Sequence, residues 1–152
     1  MKKYVLLLLA AVTVLGCTSM KKSAYKSVDQ RNVPERYVKD FQRNRPEVKD
    51  VRWEMADSNT YFANFKSMDN DCIMKFTRTR VDTYYLVPTE YAPSNIIDFI
   101  QEKYPESKIN RVYILDSRNL KTYRADIQNK NEKRVLEFDL NGNFNKEIEH
   151  DN

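Results

Sequence analysis

The stretch "VPERYVKDFQRNRPEVKDVRW" (Val33–Trp53) returns in outline as "APSNIIDFIQEKYPESKINRV" (Ala92–Val112). A displacement of 59 positions carries Pro34 onto Pro93, Tyr37 onto Ile96, Val38 onto Ile97, Phe41 onto Ile100 and Pro46 onto Pro105. The apolar positions fall at i, i+1 and i+4 in both copies, which makes one face of a short amphipathic helix. Proline suits a first helical turn, where its missing N–H has no partner to lose. Asn32, with Glu35 three residues later, has the spacing of a capping box. Pro46 and Pro105 end the helices by pushing Arg45 and Tyr104 out of helical backbone. Each copy therefore opens with a helix of about three turns.

After each helix the period drops to two. Val51, Trp53 and Met55 alternate with Arg52 and Glu54. Tyr61, Ala63 and Phe65 alternate with Phe62 and Asn64, and Cys72, Met74 and Phe76 with Ile73 and Lys75. These are half-buried strands. Asp57-Ser58-Asn59 and Asp69-Asn70-Asp71 supply turns, because the chain has only 2 glycines. In the second copy Tyr123–Ile127 answers Tyr61–Phe65, Leu136 and Phe138 answer Met74 and Phe76, and Asn141-Gly142 predicts a type I′ hairpin. The expected class is α+β, a tandem repeat of one helix plus a three- or four-stranded antiparallel sheet. The helices pack on one sheet face, since neither a short helix nor a short sheet buries its apolar side alone. The repeats span residues 32–87 and 88–149, joined by "DTYYLVPTEY" (Asp82–Tyr91), and form one compact unit.

The chain of 152 residues begins "MKKYVLLLLAAVTVLGC". Two lysines precede an apolar run too short to span a bilayer comfortably, and a small residue then precedes Cys17. This resembles the bacterial lipoprotein signal. The resemblance implies that residues 1–16 are a signal peptide and that Cys17 is the lipidation site, with several acyl chains giving stable anchoring. No Asp follows Cys17 and no acidic cluster follows it, so the expected location is the cell envelope, anchored in the outer membrane and facing the periplasm. Residues 17–31 are polar and basic without an apolar period, as in a flexible tether.

Charge is read on the processed chain. Of 26 basic and 22 acidic residues, the signal removes Lys2 and Lys3, which leaves a net of +2. That is no nucleic-acid footprint. Lipidation of Cys17 leaves Cys72 alone, in an apolar stretch that suits a small core residue.

The order of features resembles the PepSY-like, beta-lactamase-inhibitor-like family of secreted bacterial proteins. The residues are Pro34, Phe41, Pro46, Trp53 and Tyr61 in the first copy, and Pro93, Pro105, Tyr123, Phe138 and Gly142 in the second. The first copy has no glycine turn, and Val112 stands where the second would have tryptophan. The resemblance implies a tandem module of the cell envelope without an established catalytic role. Its inhibitor analogy suggests that a protein docks on the open sheet face.

Motifs for chemistry are absent. The single histidine, His150, lies in a polar tail, where neither a triad nor a zinc site would hold it. There is no CxxC, no phosphate-cradling glycine loop and no HExxH. "DLNGN" (Asp139–Asn143) reads as a hairpin turn rather than a calcium loop. The expectation is no enzyme, no cofactor and no metal. Strand alternation turns Arg52, Phe62, Ile73, Tyr113, Arg124 and Val135 away from the helices, and their types suit an interface with an envelope protein. The function expected is a non-catalytic protein-binding module, an inhibitor or modulator; the alternative is a structural or assembly lipoprotein. Replacing Cys17→Ser is expected to leave the protein unanchored and its signal poorly processed, which membrane fractionation checks. A Ser variant that still sediments with membranes would overturn the lipoprotein reading.

Overall fold

The computed structural model describes residues 25–148. The signal segment, Cys17, most of the tether and His150 lie outside the described residues.

Among the described residues the strands form one antiparallel sheet of nine, β1 to β9, in sequence order. They are β1 (Lys26–Val28), β2 (Val51–Asp57), β3 (Thr60–Ser67), β4 (Asn70–Phe76), β5 (Val81–Val87), β6 (Lys108–Ser117), β7 (Leu120–Asn129), β8 (Glu132–Phe138) and β9 (Phe144–Ile148). Helix α1 (Glu35–Asn44) precedes β2, and α2 (Ser94–Lys103) precedes β6.

This overturns the expected tandem repeat of one helix plus a three- or four-stranded sheet: the described residues form one continuous sheet of nine strands with two short helices. The segment Asp82–Tyr91, read as a connection, is mostly strand β5, and it pairs with β6 from Asp82↔Ser117 to Val87↔Val112. A run such as Thr83-Tyr84-Tyr85-Leu86-Val87 has the branched and aromatic residues that fit a pleated surface. Once β5 is a strand, pairing its free edge with β6 satisfies backbone groups that two separate sheets would leave bare.

Both helices lie on one face of this sheet. Tyr37 and Phe41 of α1 join a core with Trp53, Tyr61, Phe65, Met74 and Phe76. The rings of Phe41 and Phe65 meet edge to face at 5.2 Å, and those of Trp53 and Phe76 lie 5.5 Å apart. Ile96 and Ile100 of α2 join a second core with Val112, Ala125, Ile127, Leu136 and Phe138. Strand β5 serves both cores: Val81 and Tyr85 pack on the first and Val87 on the second.

Local signals were met in part. The helices end at Arg45 and Tyr104, whose backbone (φ −139°, ψ 60° and φ −133°, ψ 57°) has left the helical region before the following proline. The capping box does not form. Pro34 is the N-cap without a side-chain bond, and Asn32 ends a short 3-10 turn, Gln30–Asn32. That turn and β1 fall in the stretch read as tether. They are held because Val33 enters the core and Trp53 Nε1 donates to Gln30 Oε1 at 3.3 Å.

The tight type I′ hairpins are at Met68-Asp69 and Arg118-Asn119, both residues of each pair having positive φ. The expected one at Asn141-Gly142 is instead a five-residue connection between β8 and β9. Gly142 N–H donates to the Asp139 carbonyl at 3.0 Å, and Gly142 alone in that connection has positive φ, +82°. A Cβ at Gly142 would sit 2.3 Å from Asn95 Oδ1, and Asn95 Nδ2 donates to the Asn141 carbonyl at 2.7 Å. The left-handed backbone favours glycine here, and the Asn95–Asn141 hydrogen bond ties α2 to the hairpin.

Trp53→Ala should destabilise the fold by roughly 3–5 kcal/mol, the usual cost of emptying a large aromatic site. A change below ~1 kcal/mol in urea melts would contradict the core assignment. Met68 occupies a left-handed position on an exposed hairpin. Met68→Asn with Asp69→Gly should therefore raise stability by about 1 kcal/mol in the same assay, by relieving the strain of side chains at positive φ.

Candidate functional site

The sheet face turned away from the helices receives every second side chain, including all six positions that the alternation pointed outward. Arg52 stands opposite Asn64 and Phe62 opposite Glu54. Ile73 faces Tyr84 across β4 and β5, Tyr113 faces Arg124, and Val135 faces Asp126. The structure brings them onto one surface but does not leave them equally accessible. Arg52 is exposed, Phe62, Ile73 and Arg124 are half-buried, and Tyr113 and Val135 are buried. Burial without a covering helix comes from long neighbours and from curvature. Tyr84 packs against Tyr113 at 5.5 Å, and the Arg111 guanidinium lies over the Tyr113 ring at 5.6 Å. Bulges at Met55/Asp57 and Ile109/Arg111 sharpen the local twist. Phe62 carries a lid of its own, the ring of Tyr25 stacked on it at 4.5 Å.

Four arginine–carboxylate pairs run across this face. Arg52 meets Glu54 at 3.4 Å, Arg80 meets Asp82 at 2.9 Å, Arg124 meets Glu137 at 2.8 Å, and Arg111 meets Asp126. The acids lie beneath, with side chains 7, 2, 11 and 17 % exposed, and their arginines lie above at 54, 46, 23 and 57 %. Buried carboxylates need such partners, since an unpaired one costs several kcal/mol. Ser117 Oγ also donates to Asp82 at 2.5 Å, and the Tyr113 hydroxyl donates to Asp126 at 3.2 Å. The floor is thus neutralised, while each guanidinium keeps an outer edge toward solvent. Burial opposes the charge on Arg111, yet the Asp126 carboxylate, through its charge and its hydrogen bond, outweighs it and raises its pKa.

Two concavities flank this surface. A cavity of about 390 Å³ lies at the β6–β7 hairpin end, between Arg80, Tyr84, Arg118, Arg124 and Lys146. A larger one of about 1220 Å³ lies at the other end and reaches around to Phe65 and Cys72. The Cys72 thiol is buried, donates to the Asn70 carbonyl at 3.6 Å, and has its pKa pushed up by burial, which disfavours the thiolate. Among the described residues no group of three His, Cys, Asp or Glu could hold a metal ion.

Reasoning from sequence missed the acids beneath the arginines. Arg52-x-Glu54 and Arg80-x-Asp82 were available to it, because residues two apart on a strand share a face. Arg111–Asp126 and Arg124–Glu137 join different strands and depend on the β6–β7 and β7–β8 registers.

No protein-family model matches the chain, and a search of curated proteins finds no significant match. Among solved structures, a DUF2874 family protein from Bacteroides uniformis ATCC 8492 aligns with a TM-score of 0.61 at 14% identity, covering 76% of this chain and 88% of that one. The likeness is one of fold.

Burial first, and then the Asp126 carboxylate, raise the pKa of Tyr113 well above its ordinary value of 10.0. A phenol that keeps its proton in the folded state while the unfolded chain loses it makes stability fall as pH rises. Urea melts should therefore show full stability below about pH 10 and a declining limb above it. Tyr113→Phe should flatten that limb; an unchanged slope in the variant would contradict the assignment.

Proposed function

We propose that the protein is a cell-envelope lipoprotein, anchored through Cys17 in the outer membrane and facing the periplasm, and that it acts as a non-catalytic protein-binding module. The docking surface is the helix-free face of the sheet. The observation that carries this reading is one-sided coverage. Both helices pack on the same face, while the other face holds Phe62, Ile73, Tyr84 and Leu86 half-buried beside four arginines. Aromatic and arginine side chains on a preformed sheet lose little conformational freedom on docking, which is why such residues anchor interfaces. The paired carboxylates hold the arginines in place before a partner arrives. The resemblance to the secreted inhibitor-like family points the same way, and the lipoprotein-like N-terminus supports the location.

A photo-crosslinking residue at Ile73, compared with one at Gln42 on α1, tests the reading in cells. Adducts with an envelope protein are expected from position 73 and not from position 42. Adducts from position 42 alone would place the contact on the helices and sink the proposal. Ile73→Lys should abolish capture while the protein stays folded by circular dichroism.

A further inference from the structure

The 390 Å³ cavity at the β6–β7 hairpin has a charge balance unlike the rest of the docking face. Its lining holds four cations, Arg80, Arg118, Arg124 and Lys146, against two acids, Asp82 and Glu137. Both acids are already engaged, by Arg80 at 2.9 Å and by Arg124 at 2.8 Å. Arg118 and Lys146 make no ion pair among the described residues, and both are exposed. The cavity therefore presents two uncompensated cations above two anchored guanidiniums. Arg118 is also an unusual residue for its place, the first central position of a type I′ turn with φ of 50°. Asn or Gly would suit that backbone better.

The apolar part of the lining narrows the class of ligand. Leu120 stands 66 % exposed at the rim, Leu115 lies buried in the floor, and Tyr84 forms a wall. An inorganic anion has no use for that surface, whereas the methylenes of a glutamate side chain and its backbone do. The volume is at the lower end of ligand pockets, which run from roughly 300 to 1,000 Å³. Tyr84 continues directly into Tyr113, whose ring lies 5.5 Å away in the docking face.

We propose that this cavity is a carboxylate socket, which receives an acidic segment of the partner protein as it lies on the sheet face. The proposal rests on the docking reading above and adds the chemistry of the partner. Arg124 and Arg80 would donate from their outer N–H groups, and Arg118 and Lys146 would close over the carboxylates, as charge-assisted hydrogen bonds require.

The test uses the purified full-length chain and a fluorescein-labelled hexaglutamate peptide, read by anisotropy at low salt. The double variant Arg118→Asn with Lys146→Gln removes the unpaired charges, keeps a residue suited to the turn, and leaves both ion pairs in place. It should weaken peptide binding by about tenfold or more, the scale of one or two charge-assisted hydrogen bonds. Lys39→Ala with Lys103→Ala, on the two helices, removes the same charge and should leave binding unchanged. Equal loss in both pairs would mean bulk attraction and overturn the socket, as would no binding by the wild type. If inorganic phosphate or phosphatidylglycerol vesicles bind through Arg118 and Lys146 and hexaglutamate does not, the occupant is another anion and the proposal fails. Crosslinking from Ile73 does not depend on the socket, so adducts there with a normal response in the double variant would refute the socket alone.

Discussion

Coverage is the constraint on which this structure turns. Nine strands about 4.8 Å apart make a sheet of roughly 40 Å in width. Two ten-residue helices, each about 15 Å long and 10 Å across, shield part of one face and none of the other. The apolar cores follow the helices: an aromatic one under α1 and an aliphatic one under α2, bridged by β5. Among the described residues, the opposite face meets its burial problem with side chains. It does so with arginines laid over carboxylates and with tyrosines packed on one another.

That solution gives the face a particular character. A sheet side left to water normally carries short polar residues at little cost. Here Asp82 is as inaccessible as the core tryptophan, and Glu54 and Glu137 are nearly so. Buried carboxylates are weak contributors to net stability, but breaking such a pair is costly, so the partners stay where they are. An array of guanidiniums held in this way has little conformational freedom left to lose. The same pairs explain why Tyr113 is buried beneath Arg111 and bonded to Asp126 instead of standing free.

Individual elements show how far local pattern carries. The 59-residue echo located both helices, and the prolines after them located both helix ends. Alternation assigned Trp53, Phe65 and Phe76 to the core and Phe62 and Ile73 to the far side. The capping box at Asn32 failed because a 3-10 turn, held by Gln30 and Val33, took its place. The Asn141-Gly142 hairpin took another form: the Asp139 carboxylate accepts from the Asn141 and Asn143 N–H groups, and Asn95 of α2 donates to the Asn141 carbonyl. At Asn32 a contact distant in sequence accompanies the loss of a local preference of about 1 kcal/mol.

By itself the sequence determined what depends on near neighbours: two amphipathic helices, the parity of each strand's faces and the identity of most core residues. Periodicity along the chain is enough for these, because a side chain's direction follows from its place in a helix or strand. Only the tertiary structure decided that β5 joins β6, so that one sheet exists in place of two. It also decided which acid meets which arginine across strands. Those outcomes depend on register between segments and on which edges remain unpaired, and hydrogen bonding between distant backbones sets both.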